Sequence, residues 1–262
     1  MRRYWRLYLA FARNTVAREM EFRANFYLLA AMNLLGSAMY LVFYSFIFLH
    51  TSAIAGWTSD QVVLLLGMYM VAYALISFLF ARNMAEMSRL VNRGELDFVL
   101  MKPVNPQFFV STRFIDPTEL PRLVAGLAVV VIALRRMGLA PSAGSVLTAI
   151  VVVGCGVVMT YSVWFMVVTL VLHVERFGNV HFVFYSVVEL ARVPVQAFPL
   201  AARLVLAYLV PAAFISTFPS QALLSTLEMG NALLGVLAAA GLLWLSSVFW
   251  NYSLRRYVSA SS

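Results

Sequence analysis

The sequence predicts an all-α integral membrane protein: six transmembrane helices, an amphipathic N-terminal interfacial helix, and re-entrant or broken helices before the last span. Three observations lead there. Of the 262 residues, 63% are hydrophobic and 11% charged, whereas soluble domains carry about 25% charged residues. The apolar runs are long and unbroken, unlike the alternating segments of about ten residues that build a membrane β-barrel. The arginines gather at the ends of those runs, where the positive-inside rule places orienting charge. No stretch is large enough to fold as a separate soluble domain, so residues 1–262 read as one transmembrane unit.

Residues 1–23 hold six arginines, and Trp5, Tyr8, Leu9, Ala12, Val16 and Met20 recur among them at helical spacing. This predicts an amphipathic helix in the membrane surface with Trp and Tyr at headgroup depth. The alternative is a disordered basic tail. Arg2 and Arg3 resemble the start of a signal peptide, but Arg6 and Arg13 interrupt the apolar stretch that a cleavable signal needs, so none is expected. The first span is placed at 25–49, inside a run from Ala24 to Ser59 that carries no formal charge. About 20 apolar residues cross a bilayer, so this run holds one span and a turn. The loop from His50 to Asp60 has no Arg or Lys and is expected outside. The second span covers 61–81.

The longest polar break comes next. Arg82, Arg89, Arg93, Lys102, Arg113 and Arg122 match the basic count of the N-terminal segment, so both are assigned to the cytoplasmic side. Within the cytoplasmic loop 82–119, residues 85–91 continue the second span as a helix. Gly94 tolerates left-handed geometry and can end that helix. Leu96, Phe98, Val99 and Leu100 then form a short apolar patch, and Pro103 and Pro106 stop a helix from continuing.

The third span, 120–139, is short, with only 12 uncharged residues between Arg122 and Arg135. Those arginines are expected to snorkel from its ends. Arg135 and Arg136 then fall outside, against the positive-inside trend. If 120–139 did not cross, everything downstream would invert. The fourth span is 146–172. A fifth, 178–197, is interrupted by Glu189 and Arg192. Pro194, Pro199, Pro211 and Pro219 break the chain from there to the last span, and irregular backbone at membrane depth needs protein cover or a water-lined cavity. The last span, 231–252, brings Arg255 and Arg256 back to the cytoplasm, with both termini inside.

The chemistry is defined mostly by what the residues exclude. Of the nineteen basic residues only Lys102 is a lysine, and no Gly-x-x-x-x-Gly precedes it, so the chain has no P-loop and is not itself expected to be an ATPase. His50, His173 and His181 do not form His-Glu-x-x-His, and no Gly-x-Ser-x-Gly occurs. Cys155 stands alone and allows neither an intrachain disulfide nor a multi-cysteine metal site. No catalytic residue, cofactor or metal is assigned. The net charge of +8 belongs to span ends rather than to a nucleic-acid surface, so no nucleic-acid partner is expected. Glu189 and Arg192, at i and i+3, form a possible intramembrane pair. Such charges often mark a pathway, but near a helix end they can simply neutralise each other. The clean spans hold almost no acidic residue, which argues against ion-driven transport and for an external energy source. Gly235 and Ala239 make a small-xxx-small packing pair, a common pattern.

At the polar break the residues meet a family. Arg93-Gly94-Glu95-Leu96-Asp97, then Leu100-Met101-Lys102-Pro103-Val104-Asn105-Pro106, resembles the R-G-x-L-D-x-x-L-x-[RK]-P-x-[NS] stretch of ABC-2 type transporter permeases. Leu209-Val210-Pro211-Ala212-Ala213, then Phe218-Pro219 and Leu223-Leu224, is similar to a later pattern of the same bacterial subfamily. The order of spans agrees over nearly the whole chain. The short third span and Arg135-Arg136 are the departures.

The resemblance implies the membrane subunit of an ATP-binding cassette transporter, usually an exporter, in a bacterial cytoplasmic (inner) membrane. It implies two copies of a separate ABC ATPase subunit and a second permease chain, identical or related. Loop 82–119 would carry the coupling helix. Arg93, Gly94, Glu95, Leu96, Asp97, Phe98, Lys102 and Pro103 are the expected coupling residues: Gly94 and Pro103 set the shape, Leu96 and Phe98 supply apolar contact, and the charges set register. Two rivals stay open: a non-transporting membrane scaffold that binds a cytoplasmic protein, and a lipid-modifying enzyme, for which the needed cluster of acids and histidines is missing.

Overall fold

An apolar chain in lipid must satisfy its own N–H and C=O groups, and a helix does so locally. The computed structural model of this chain describes residues 2–173, 185–186 and 188–256, and its regular elements there are all helical. Helices α1 (Arg2–Glu21) and α2 (Arg23–Phe48) are separated only by Phe22, whose φ of −111° and ψ of 57° interrupt the run. Helix α3 (Ser59–Ile76) passes through a π segment (Ser77–Ala81) into α4 (Arg82–Asn92). Short helices α5 (Leu96–Leu100) and α6 (Pro106–Thr112) lead to α7 (Leu120–Arg136) and α8 (Ala143–Thr169). Then come α9 (Leu200–Leu204), α10 (Phe218–Leu223) and α11 (Met229–Arg256).

Five helical stretches among the described residues are long and apolar enough to cross a membrane: Arg23–Phe48, Ser59–Val91, Pro117–Arg136, Ala143–Leu172 and Met229–Arg256. They fall on five of the six expected spans. The second runs well beyond 81, because no helix breaker occurs before Gly94. The third stops at 136 rather than 139. Gly138, at φ +66°, closes α7 with bonds from its own N–H to the Arg135 carbonyl and from the Leu139 N–H to the Leu134 carbonyl. Arg135 and Arg136 occupy that last turn, where cations offset the exposed carbonyls of a helix C-terminus.

The expected fifth span, 178–197, lies partly outside the described residues. Its described end is two one-turn 3₁₀ helices, Glu189–Arg192 and Val195–Ala197, around Pro194. Beyond it, α9 and a π segment (Val205–Leu209) end before Pro211, and a second π segment (Ala213–Thr217) leads into α10. Residues 213–217 are all buried. The Ser216 hydroxyl donates to the Ala191 carbonyl, and the Val195 N–H donates to Thr217 Oγ1 at 3.2 Å. The irregular backbone at 213–217 therefore has the protein cover it needs.

Helix α3 is the central post. It packs on α7, while α8 packs on α10 and α11. A methyl group at Gly126 would fall 2.9 Å from Met70 Cβ, and one at Gly67 would fall 2.9 Å from Val130 Cγ2, so the two glycines let α3 and α7 approach. By contrast α2 and α11 bare broad apolar faces, including Leu28, Met32, Leu35, Leu233, Leu237 and Trp244.

Arg122 does not snorkel. It turns inward and donates to Glu119 Oε2 at 2.8 Å, Ser37 Oγ at 3.1 Å and Asn33 Oδ1 at 3.1 Å, with its guanidinium 4.8 Å from the Tyr73 ring centroid. Asn33 donates back to Glu119 Oε1 at 3.3 Å. Both ionic side chains are nearly inaccessible. Removing one partner of a buried pair strands the other charge, at a cost of about 3–5 kcal/mol, whereas replacing both with apolar groups is often close to neutral. We therefore predict that Glu119→Leu lowers the thermal stability of the detergent-purified chain markedly, and that Glu119→Leu/Arg122→Leu recovers most of the loss. Equal losses in the single and double variants would show that the pair is not coupled.

Candidate functional site

The turn from 93 to 103 is built by the way α4 ends. Gly94 sits at φ +67°, and its N–H donates to the Val91 carbonyl at 3.1 Å while the Glu95 N–H donates to the Leu90 carbonyl at 2.9 Å. This is a Schellman stop, which a residue with a Cβ fits poorly. The chain re-enters at once as α5. Leu96 and Val99 point into the protein's own core, at 0% and 3% exposure, with Met87, Leu90 and Phe109 in the same cluster. Phe98 and Met101 point away, at 65% and 72% exposure. Arg93, Lys102 and Pro103 are exposed, and Glu95 and Asp97 half-buried. Leu96, expected to supply apolar contact, is buried in the chain's own core and anchors the turn. Of the expected apolar contacts Phe98 remains, joined by Met101.

Helix α6 was hidden in the sequence. Asn105 Oδ1 accepts the Phe108 N–H at 3.0 Å, and Pro106 takes the first helical position, where its missing N–H has no cost. Asn105-Pro106 therefore starts a helix as well as stopping one. Helix α1 braces this region. Arg3 donates to the Pro103 carbonyl at 2.9 Å, Tyr4 meets Phe108 edge-on at 4.8 Å, Phe11 meets Phe109 at 5.6 Å, and Arg82 donates to Glu19 Oε1 at 2.5 Å. The stripe Trp5, Leu9, Val16 and Met20 stays exposed on the other side of α1.

Asn83, fully buried on α4, holds the return of the chain. Its amide donates to the Phe114 carbonyl at 2.7 Å and to the Leu79 carbonyl at 2.9 Å, and its oxygen accepts the Phe114 N–H at 2.9 Å. The Asp116 N–H donates to the Phe78 carbonyl, inside the π segment, at 2.9 Å. Sequence reading missed Asn83; its one signal was an amide beside the apolar run that ends at Ala81.

Glu189 and Arg192 come together at 2.9 Å. Arg192 also lies 3.5 Å from the Tyr40 ring centroid, and its carbonyl accepts the Tyr44 hydroxyl at 2.9 Å. The pair thus ties the 189–192 turn to α2 and contains no residue of the 93–103 turn.

Two adjoining hollows complete the site. One, of about 600 Å³, lies between α3, α7 and α8 and is lined only by apolar residues and Gly154. The other, of about 410 Å³, shares Phe80 and Val158 with it and adds Asn105, Gln107, Ser111 and Tyr161. The Ser111 and Tyr161 hydroxyls meet at 2.8 Å.

A family model described as an ABC-2 family transporter protein matches residues 34–261. This chain belongs to the ABC-2 transporter family. The match takes in the whole 93–103 turn, α6, both hollows and all of the spans except the start of α2. Membership and the five apolar helices make it a multi-pass membrane protein of the transport class. No curated protein and no solved structure matches this ABC-2 chain.

We predict that Gly94→Val, which forces a branched side chain into left-handed backbone at a cost of about 1–2 kcal/mol, loosens the turn of this ABC-2 protein. Limited proteolysis should then cut faster between 93 and 103 while the melting temperature falls only slightly. Unchanged cleavage would mean that the stop tolerates a Cβ.

Proposed function

We propose that this chain is the permease subunit of an ATP-driven exporter whose hydrolysis resides on a separate ABC ATPase chain. The observation that carries the reading is α5, a short helix anchored from behind by Leu96 and Val99 and baring Phe98 and Met101. Two exposed apolar side chains on a rigid, polar-flanked turn suit the centre of a protein interface. Arg93, Glu95, Asp97 and Lys102 around them suit its charged rim. The missing P-loop in the sequence supports the division of labour: this chain is not an enzyme and needs no cofactor of its own.

In this reading two ATPase copies engage two permease chains, identical or related, in a bacterial inner membrane. Both termini and the 93–103 turn face the cytoplasm, supported by the arginine distribution. ATPase closure pushes on α5 and is passed to the bundle through α4 and to the surface helix α1 through its contacts with α6. Cargo is an amphipathic molecule. The apolar hollow between α3, α7 and α8 accepts its tail, and Asn105, Gln107 and Ser111 at the adjoining hollow meet its polar end. No nucleic acid is involved.

The test is co-purification with the ATPase encoded beside this chain. Phe98→Asp/Met101→Asp should lower ATPase retention by about 30-fold, the loss of an interface hot spot worth about 2 kcal/mol, while the permease remains monodisperse. Retention of the ATPase with unchanged cargo-stimulated hydrolysis would rule out α5 as the coupler. Capture of a partner without ATPase activity would favour a scaffold instead.

A further inference from the structure

A third cavity, of about 310 Å³, lies where α1 crosses the 82–114 region. Its wall carries four cations, Arg18, Arg82, Lys102 and Arg113, around the aromatic rings of Phe11 and Phe109. Arg82 is matched by Glu19. No carboxylate lies within 4 Å of Arg18, Lys102 or Arg113 among the described residues. Two of these three lie on rings instead. Lys102 Nζ is 4.3 Å from the Phe109 centroid, and the Arg113 guanidinium is 5.3 Å from Phe109 and 5.0 Å from Phe114. Ring faces hold a cation weakly and leave its N–H donors free. Four positive groups against one carboxylate leave an uncompensated field that an anion would relieve.

The cavity's position narrows the anion. Helix α2 begins at Arg23 as an apolar, span-length helix, so α1, joined to it through Phe22, sits at that membrane face. The exposed stripe Trp5, Leu9, Val16 and Met20 gives α1 an apolar side for the acyl boundary. The opposite side of the same helix, with Phe11 and Thr15, lines the cavity. A ligand reaching it from the bilayer would bring a negative head and an apolar stem. Polybasic pockets at a membrane face recognise such headgroups, and guanidinium forks match phosphate oxygens in pairs.

We propose that this cavity binds the phosphate group of an anionic phospholipid, held by Arg18, Lys102 and Arg113. The phosphate lies among the three cations, and the glycerol end runs along the aromatic wall beneath α1. The site shares Lys102 with the rim proposed for the coupling surface, but its tests read lipid binding alone and stand without the coupling and cargo readings. Free phosphate has the same chemistry, so the test distinguishes the two sources.

The purified full-length chain is titrated in neutral detergent with phosphatidylglycerol, phosphatidylcholine or inorganic phosphate, and bound molecules are counted by native mass spectrometry. Phosphatidylglycerol should bind several-fold more tightly than phosphatidylcholine. Arg18→Gln/Arg113→Gln should weaken it by about 25-fold, roughly fivefold for each cation removed, and erase the preference. Arg135→Gln/Arg136→Gln, which leaves the pocket intact, should keep it. An unchanged preference in the Arg18/Arg113 variant overturns the proposal. Inorganic phosphate that binds alone and displaces phosphatidylglycerol overturns the lipid assignment. A second measurement needs no variant. Lys102 is the only lysine, so its acetylation, followed by peptide mapping, should slow with phosphatidylglycerol and not with phosphatidylcholine. Equal rates with both lipids also overturn the proposal.

Discussion

Inside a membrane every backbone carbonyl needs a donor, and at Phe78 that requirement ties the chain together. The π segment at 77–81 shifts the bonding of the α3–α4 rod by one residue, and the Phe78 carbonyl takes the N–H of Asp116. Asn83 sits one turn on and pins Phe114 with a donor and an acceptor together. The chain is thus stitched back to the rod where α7 is about to begin. Asp116 in turn accepts from the N–H and hydroxyl of Thr118, and Glu119 and Arg122 lock α7 to α2. Backbone accounting in a medium without water links three apolar helices through polar atoms.

The exposed turn depends on this stitching. With its start fixed by α4 and its return by Asn83, the segment between them is held at both ends. Gly94 sets its direction, and the alternation of Leu96 and Val99 against Phe98 and Met101 divides α5 into an anchored side and a free side. Helix α1 closes the remaining side through Arg3, Tyr4 and Phe11. One polar loop therefore carries a bare apolar tip and, at its base, a cationic cavity.

Much of this was legible in the residues. Four of the five observed membrane helices lie within a few residues of the expected ranges, because long apolar runs bounded by Arg, Gly or Pro leave few alternatives; the fifth, Ser59–Val91, matches at its start and runs about ten residues past 81. The stop at Gly94 followed from its side-chain-free backbone. Other features were not legible. Leu96 and Phe98 are both apolar and two residues apart, and only the register of α5 decides which one is buried. Arg122 reads as a flanking charge until Asn33 and Ser37, 89 and 85 residues away in sequence, are seen to face it. The π segments have no residue signature, since they arise from packing rather than propensity. Asn105-Pro106 carried a helix-start signal that its proline obscured.

The stretch Ser59–Val91 has one further consequence. Its 33 residues form a single rod about 50 Å long, well beyond the roughly 30 Å of a hydrocarbon core. A tilt of about 5° displaces one end by about 4 Å relative to the other, most of a helical turn. Thr58, at the start of that rod, lies next to Trp57, which packs with Tyr44, Val62 and Leu66. By geometry alone, a small rotation of the rod at its α5 end would carry to the Trp57 end as an ångström-scale shift.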